Sequence, residues 1–205
     1  MCTISPVKLV VNKNKPRMWL LTGEPGMGKS TALSRIILDV KTAGFTVGGV
    51  LTREIRTRGE RQGFRLVDIS SEESEILAGI QGIVGPRIGK YKVDLKVLSS
   101  LAVKALEHAN SSSDLIACDE VGPMELLSPE FRKAVRRNVL ESAKPAICVV
   151  HKRFEDPLIL DFKGSGESIE TEITYENRDT MPNEIAEDII SLLHSNESGG
   201  AKKSS

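Results

Sequence analysis

Met18-Trp19-Leu20-Leu21-Thr22 runs directly into Gly23-Glu24-Pro25-Gly26-Met27-Gly28-Lys29-Ser30, and Leu33, Ile36, Ile37 and Val40 follow at helical spacing. A short apolar run that ends in glycine suits a strand buried in a parallel sheet. The second pattern suits a helix with one apolar face, closed by Gly44 as its C-cap. Between the two lies G-x-x-x-x-G-K-[ST], the phosphate-binding loop. Glycines at 23 and 28 admit backbone conformations closed to other residues, so that successive N–H groups turn inward. A helix starting near Lys29 sets its positive dipole end against an anion. Lys29 adds a point charge for the β- and γ-phosphates, and the Ser30 hydroxyl suits Mg²⁺.

Outward from this loop, strand-like and helix-like runs alternate. Phe45 to Thr52 reads as a strand, Arg53 to Gln62 is polar and basic, and Gly63 to Ile69 reads as a strand again. These form an early β-hairpin with Gly59 in its turn. Leu95 to Ala109 has helical periodicity, Asp114 to Cys118 is a strand, and Pro129 to Ala143 reads as an exposed helix. A strand over Ala146 to Val150 and an amphipathic helix over Glu184 to His194 complete the pattern. Alternation of this kind implies an α/β fold in three layers, a mostly parallel sheet with helices on both faces. Residues 16–194 make one P-loop nucleotide-binding domain. Residues 1–15 read as a leading extension, and 195–205, too polar to bury apolar area, as a disordered tail.

A loop of this class needs an acidic partner for the metal. Leu115-Ile116-Ala117-Cys118-Asp119-Glu120 provides it, an apolar strand ending in an aspartate, the Walker B pattern. Asp119 is placed to hold Mg²⁺ and Glu120 to orient or deprotonate an attacking water. The competing reading is an acidic pair at a strand terminus with no chemical role.

Composition narrows the class further. The 205 residues include 28 Lys plus Arg and 28 Asp plus Glu, so the net charge is zero, and only 4% are aromatic. Neither a basic footprint nor stacking platforms for nucleic acid are indicated. Three cysteines, Cys2, Cys118 and Cys148, stand far apart and show no disulfide or zinc pattern. No secretory signal or apolar run of membrane-spanning length occurs, and a cytoplasmic, reduced protein is expected. The sequence specifies no oligomeric state.

Other residues carry weaker signals. Arg56, Arg58 and Arg61 make the hairpin basic, although a charge run is ordinarily a solvated face. Arg65, Arg87 and Arg153 are equal candidates for an arginine finger. With none singled out, slow turnover is expected of the isolated protein. His151 directly follows a buried strand, within reach of a γ-phosphate, but a hydrogen-bonded structural histidine is the simpler reading. His108 and His194 sit near predicted helix C-termini and suit the dipole there.

Several blocks recur in order: the loop through Thr31, Gly63-Phe64, Arg87-Ile88-Gly89-Lys90-Tyr91-Lys92-Val93-Asp94, Cys118-Asp119-Glu120-Val121-Gly122-Pro123-Met124-Glu125-Leu126 and Glu176-Asn177-Arg178. Together they resemble the small thermophile-type (THEP) nucleoside-triphosphatases from about Arg17 to Leu193. The resemblance implies a RecA-like core and hydrolysis of several nucleoside triphosphates with little base selectivity. It also implies nucleotide contact by Gly23, Glu24, Pro25, Gly26, Met27, Gly28, Lys29, Ser30 and Thr31. The same is implied for Leu115, Ile116, Ala117, Cys118, Asp119, Glu120, Val121 and Gly122. Asn177 and Arg178 become candidates for the base or ribose. Val150-His151-Lys152-Arg153-Phe154 departs from the family pattern.

The expected activity is Mg²⁺-dependent hydrolysis of nucleoside triphosphates, with Lys29 and Glu120 as its catalytic residues. A small P-loop kinase shares the fold and length, but the Asp119-Glu120 pair favours water as acceptor. A nucleotide-gated binding module stands as a third reading.

Overall fold

Residues 16–200 are described in a computed structural model, and each strand expected from an apolar run forms. In chain order the elements are β1 (Met18–Thr22), α1 (Lys29–Thr42), β2 (Val47–Thr57), β3 (Glu60–Asp68), β4 (Ser74–Gly79), β5 (Arg87–Ile88) and β6 (Tyr91–Val93). Then come α2 (Leu95–Val97), a π-helical turn (Leu98–Ala102), α3 (Val103–Ser112), β7 (Leu115–Val121), a short 3-10 turn (Glu125–Leu127) and α4 (Pro129–Val135). A second π-helical turn (Arg136–Leu140), β8 (Ala146–Val150), α5 (Pro157–Gly164), β9 (Ser168–Glu172) and α6 (Met181–Gly200) follow.

All nine strands join one sheet in the order β5-β6-β4-β3-β2-β7-β8-β1-β9. The pairings among β2, β7, β8, β1 and β9 are parallel. Those linking β2, β3, β4, β6 and β5 are antiparallel. Counted by appearance, the parallel strands stand 5-1-4-3-2, the RecA-like arrangement. One strand, β8, therefore separates the phosphate-loop strand β1 from the acidic strand β7. The β2–β3 hairpin forms as expected and turns at Arg58-Gly59, both with positive φ.

Period-two alternation divides the central strands between two apolar layers. Met18, Leu20, Ile116, Cys118, Ala146, Cys148 and Val150 face one way, onto α3, α4 and α5. Trp19, Leu21, Leu115, Ala117, Ile147 and Val149 face the other, onto α1 and α6. Strands buried on both faces read as continuous apolar runs, which is why these five-residue stretches are legible without a polar alternation.

Two expectations are corrected. The segment from Pro129 is not an exposed helix: Phe131, Ala134, Val135 and Val139 are buried against the sheet. It also changes to π-helical pitch at Arg136. The polar tail does not begin at Ser195, because α6 continues to Gly200. Once a helix exists each added residue fixes one more hydrogen bond at little cost, and Ser195 and Ser198 return their hydroxyls to the carbonyls of Leu192 and His194. Residues 1–15 and 201–205, the rest of the expected extension and tail, lie outside the described residues. Among the described residues no helix is long and apolar enough to cross a membrane.

Candidate active site

The phosphate loop leaves β1 at Gly23, and a neighbouring strand dictates the glycine there. Ile173, just past β9, donates its N–H to the Thr22 carbonyl at 2.8 Å. A Cβ on Gly23 would lie 2.5 Å from the Ile173 carbonyl oxygen, and its φ of +143° is one that L side chains rarely adopt. Gly28, the residue before α1, is left-handed at φ +97°. The loop then enters α1 at Lys29, as its spacing predicts. Between these glycines, Glu24 to Lys29 are half-buried or exposed, an open mouth over the helix N-terminus.

Lys29 folds back onto its own loop, its Nζ donating to the carbonyls of Gly23 at 2.9 Å and Glu24 at 3.2 Å. Ser30 Oγ donates to Asp119 Oδ1 at 3.1 Å, bringing the Walker B aspartate to the first turn of α1. Thr52 Oγ1 of β2 donates to the Asp119 backbone carbonyl at 2.5 Å. The second carboxylate oxygen, Asp119 Oδ2, is buried without a partner among the described residues. Burial is the main cause that raises the Asp119 pKa to about 7, with nearby Glu120 adding to it and the Ser30 hydrogen bond opposing.

β7 runs on to Val121, beyond the expected end at Cys118, and slips register against β8 between Cys118 and Val121. Three residue steps on β7 thus match two on β8, a bulge that turns the acidic pair out of simple alternation. Both carboxylates consequently feel Lys29. Gly122 leaves space for the Glu120 side chain, whose Oε1 would stand 3.0 Å from a Cβ there. Burial raises the Glu120 pKa, against the pull of Lys29 and His151.

Of the stretch from Leu115 to Gly122, only Asp119, Glu120 and Gly122 reach this mouth. Leu115, Ile116, Ala117, Cys118 and Val121 are fully buried within the sheet, so their side chains position the acidic pair and do not face a ligand. A third carboxyl, not assigned a role from sequence, lies behind the pair. Glu125 is 6% exposed, and burial, with Glu120 and Asp119 adding to it, raises its pKa to about 8. Its sequence signals are its place in the block from Cys118 to Leu126 and its apolar neighbours Met124 and Leu126.

At the opposite side of α1's first turn a cavity of about 230 Å³ is lined by Gly28, Thr31, Arg35, Arg178 and Asp179. The Arg178 guanidinium stacks 4.8 Å from the Tyr175 ring centroid. Asn177 instead builds its own loop, accepting from the Thr174 N–H and donating to the Glu172 carbonyl, both at 2.8 Å. His151 is likewise structural on its Nδ1 side, which accepts from the amides of Arg153 at 3.3 Å and Phe154 at 3.0 Å. On the hairpin, Arg56 and Arg61 both pair with Glu54.

Fold and site define the class: a P-loop protein with a RecA-like core and an acidic pair facing the loop. The chain matches the NTPase family model over residues 18–186 and belongs to that family. It is 37% identical over 179 residues to nucleoside-triphosphatase THEP1 of Methanopyrus kandleri, covering 87% of this chain and 98% of that one. It is 37% identical over 185 residues to the Pyrococcus abyssi protein of the same name, covering 90% and 98%. Among solved structures it is similar to THEP1 from Aquifex aeolicus, with a TM-score of 0.72 and 31% identity, covering 86% of this chain and 98% of that one. It is also similar to a human cancer-related nucleoside triphosphatase, with a TM-score of 0.70 and 31% identity, covering 87% and 98%.

Proposed function

We infer that this chain hydrolyses nucleoside triphosphates to nucleoside diphosphate and phosphate, with Mg²⁺ as cofactor and water as acceptor. The observation that carries the reading is the Ser30–Asp119 contact, with Glu120 next to it and Lys29 within electrostatic reach of both acids. Membership of the NTPase family and the names of the relatives support the same activity.

The donor set suits Mg²⁺. Ser30 Oγ and the partnerless Asp119 Oδ2 are hard oxygens that supply two positions, and this ion is ordinarily held by one or two protein groups together with phosphate oxygens and water. When bound it neutralises charge on the β- and γ-phosphate oxygens. The N–H groups of Glu24 and of Gly26 to Ser30, Pro25 having none, cradle the phosphates, and Lys29 exchanges the Gly23 and Glu24 carbonyls for phosphate oxygen. Glu120 accepts a proton from water as the water oxygen bonds to the γ-phosphorus and the bond to the β–γ bridging oxygen breaks. The proton then passes from Glu120 to the released phosphate. A carboxyl raised by burial is suited to this, since a general base works best with a pKa near the operating pH.

The triphosphate enters with its γ-end at Asp119 and Glu120, which directs the nucleoside to the cavity at Thr31 and Arg178. An arginine over a tyrosine offers a face to any base and no base-specific pairing edge, in keeping with broad triphosphate use. The test is phosphate release from ATP, GTP, CTP and UTP, with and without Mg²⁺ and with no added acceptor. Release from all four that requires Mg²⁺ is expected, and an absolute need for a small-molecule hydroxyl would instead identify a kinase.

A further inference from the structure

Because β8 lies between β1 and β7, residues leaving its C-terminal end emerge between the phosphate loop and the acidic pair. These residues are His151, Lys152 and Arg153. Glu24 of the loop receives two of them: its Oε1 accepts from Arg153 Nη2 at 2.6 Å and from Lys152 Nζ at 3.2 Å. Lys152 is held a second time, by Glu172 Oε1 of β9 at 2.6 Å, and so ties the loop to the sheet edge. Among the described residues Arg153 has no such second tie, and its side chain is 74% exposed. The two cations hold the Glu24 carboxyl below its usual pKa, and the Glu24 backbone carbonyl is one that Lys29 occupies. Arg153 therefore rests on the lip of the loop, on the same side as Glu120.

We propose that Arg153 is an arginine finger supplied in cis, which exchanges its contact with Glu24 for the γ-phosphate when a triphosphate binds. This rests on the hydrolase reading above and adds a catalytic residue to it. Exposed ion pairs add little stability, so little holds Arg153 on Glu24. A triphosphate offers several negative charges against one, and the planar guanidinium fork fits two phosphate oxygens at once. His151 fixes the turn by accepting the Arg153 and Phe154 amides, so that the side chain moves on a stationary backbone.

The sheet order removes the other candidates. Neighbouring strands stand about 4.8 Å apart, which sets Arg65 on β3 about 19 Å and Arg87 on β5 about 34 Å laterally from β1. Arg65 is also occupied, donating to Ser74 Oγ at 3.2 Å. Arg35 donates to the Asp179 carbonyl and Arg178 covers Tyr175, both at the nucleoside end.

The experiment compares the parent with Arg153→Ala, Arg153→Lys, Lys152→Ala and Glu120→Gln in phosphate release. Affinities for ADP alone and for ADP with Mg²⁺ and aluminium fluoride, a planar mimic of the transferring phosphoryl group, are measured alongside. Fingers are worth about 10³–10⁵ in rate, and a fall in kcat of at least about 10²-fold is expected for Arg153→Ala, with KM and ADP affinity within about threefold of parent. Affinity for the aluminium fluoride complex should fall with kcat, Arg153→Lys should recover part of both, and Lys152→Ala should leave kcat the less affected. Unchanged ADP binding shows that the variant is folded. If kcat of Arg153→Ala stays within about threefold of parent, or if ADP and aluminium fluoride affinities fall together, the proposal is overturned. Glu120→Gln keeps the two readings apart: full activity in that variant defeats the water-activation role itself, whereas an active Arg153→Ala beside an inactive Glu120→Gln defeats only the finger.

Discussion

Ser30 Oγ and Asp119 Oδ1 stand 3.1 Å apart, joining the first helix to the third parallel strand at the point where the loop opens. This hydrogen bond sets a hydroxyl against a carboxyl in the mouth where the Lys29 ammonium is held by the Gly23 and Glu24 carbonyls.

Lys29 and Glu120 should fail in different ways. Lys29→Ala removes the point charge that meets the phosphates. Hydrogen bonds to charged groups are worth about 1.5–3 kcal/mol, or roughly 10–100-fold in affinity, so binding and turnover should fall together. Glu120→Gln keeps shape but cannot take a proton. ATP affinity should hold or improve while the rate drops by about 10²–10⁴. Nucleotide titration and phosphate release on both variants make the comparison, and near-parental hydrolysis by Glu120→Gln is the outcome that removes water activation.

Asp119→Asn should weaken Mg²⁺ binding. The amide leaves the Ser30 contact possible but replaces an anionic oxygen with a neutral dipole. The Mg²⁺ concentration for half-maximal activity should rise by about tenfold or more, on the order of the loss of one charge-assisted ligand. Mg²⁺ titration at saturating ATP measures it, and an unchanged midpoint would place the ion elsewhere.

Stability of the nucleotide-free protein should fall as pH rises from 5 to 8.5. Asp119 and Glu125 have pKa values raised to about 7 and about 8 from 3.8 and 4.5. In that window the folded state holds protons that the unfolded state has released, so unfolding loses bound protons and becomes easier as pH increases. The benefit is complete below about 4 and lost through about 8. Groups with lowered values, Glu24, Glu54, Asp114, Asp156 and Glu176, act at lower pH and with the opposite sign. Thermal melts of the parent and of Glu125→Gln should show a steeper decline for the parent, and parallel curves would contradict the assignment.

Asn177→Ala and Arg178→Ala should divide loop integrity from nucleoside contact. Asn177 bridges Thr174 and Glu172, and losing these two part-buried or exposed hydrogen bonds should lower stability by about 0.5–1.5 kcal/mol. Arg178→Ala should raise KM for all four triphosphates to a similar extent with little change in melting temperature. A preference for one base that disappears in either variant would reveal a base-specific contact.

The central sheet and the phosphate loop were legible because doubly buried strands leave unbroken apolar runs and because the loop's glycines and lysine are fixed in spacing. β9 is not legible in this way, since Ser-Ile-Glu-Thr-Glu is a half-exposed edge strand with charged alternate positions and its pairing with β1 is long-range. α5 carries a local signal, with Asp156 as its cap and Pro157 opening it. The β5–β6 hairpin carried its own mark in Gly89, whose φ is +57°. The ion cluster around Glu24 had no sequence signature at all. It depends on strand order, which brings residues 24, 152, 153 and 172 together from three separate strand ends.

That same strand order has a consequence for biosynthesis. β1 finds both of its sheet neighbours, β8 and β9, late in the chain, and Gly23 takes its shape against Ile173. A nascent polypeptide that has displayed its phosphate loop therefore gains a nucleotide-binding surface only after nearly the whole domain has left the ribosome. Contacts this distant in sequence are slow to form, because loop closure precedes their reward. Premature termination before Ser168 should thus yield a chain that carries the entire motif and grips no nucleotide, so incomplete products cannot consume triphosphate.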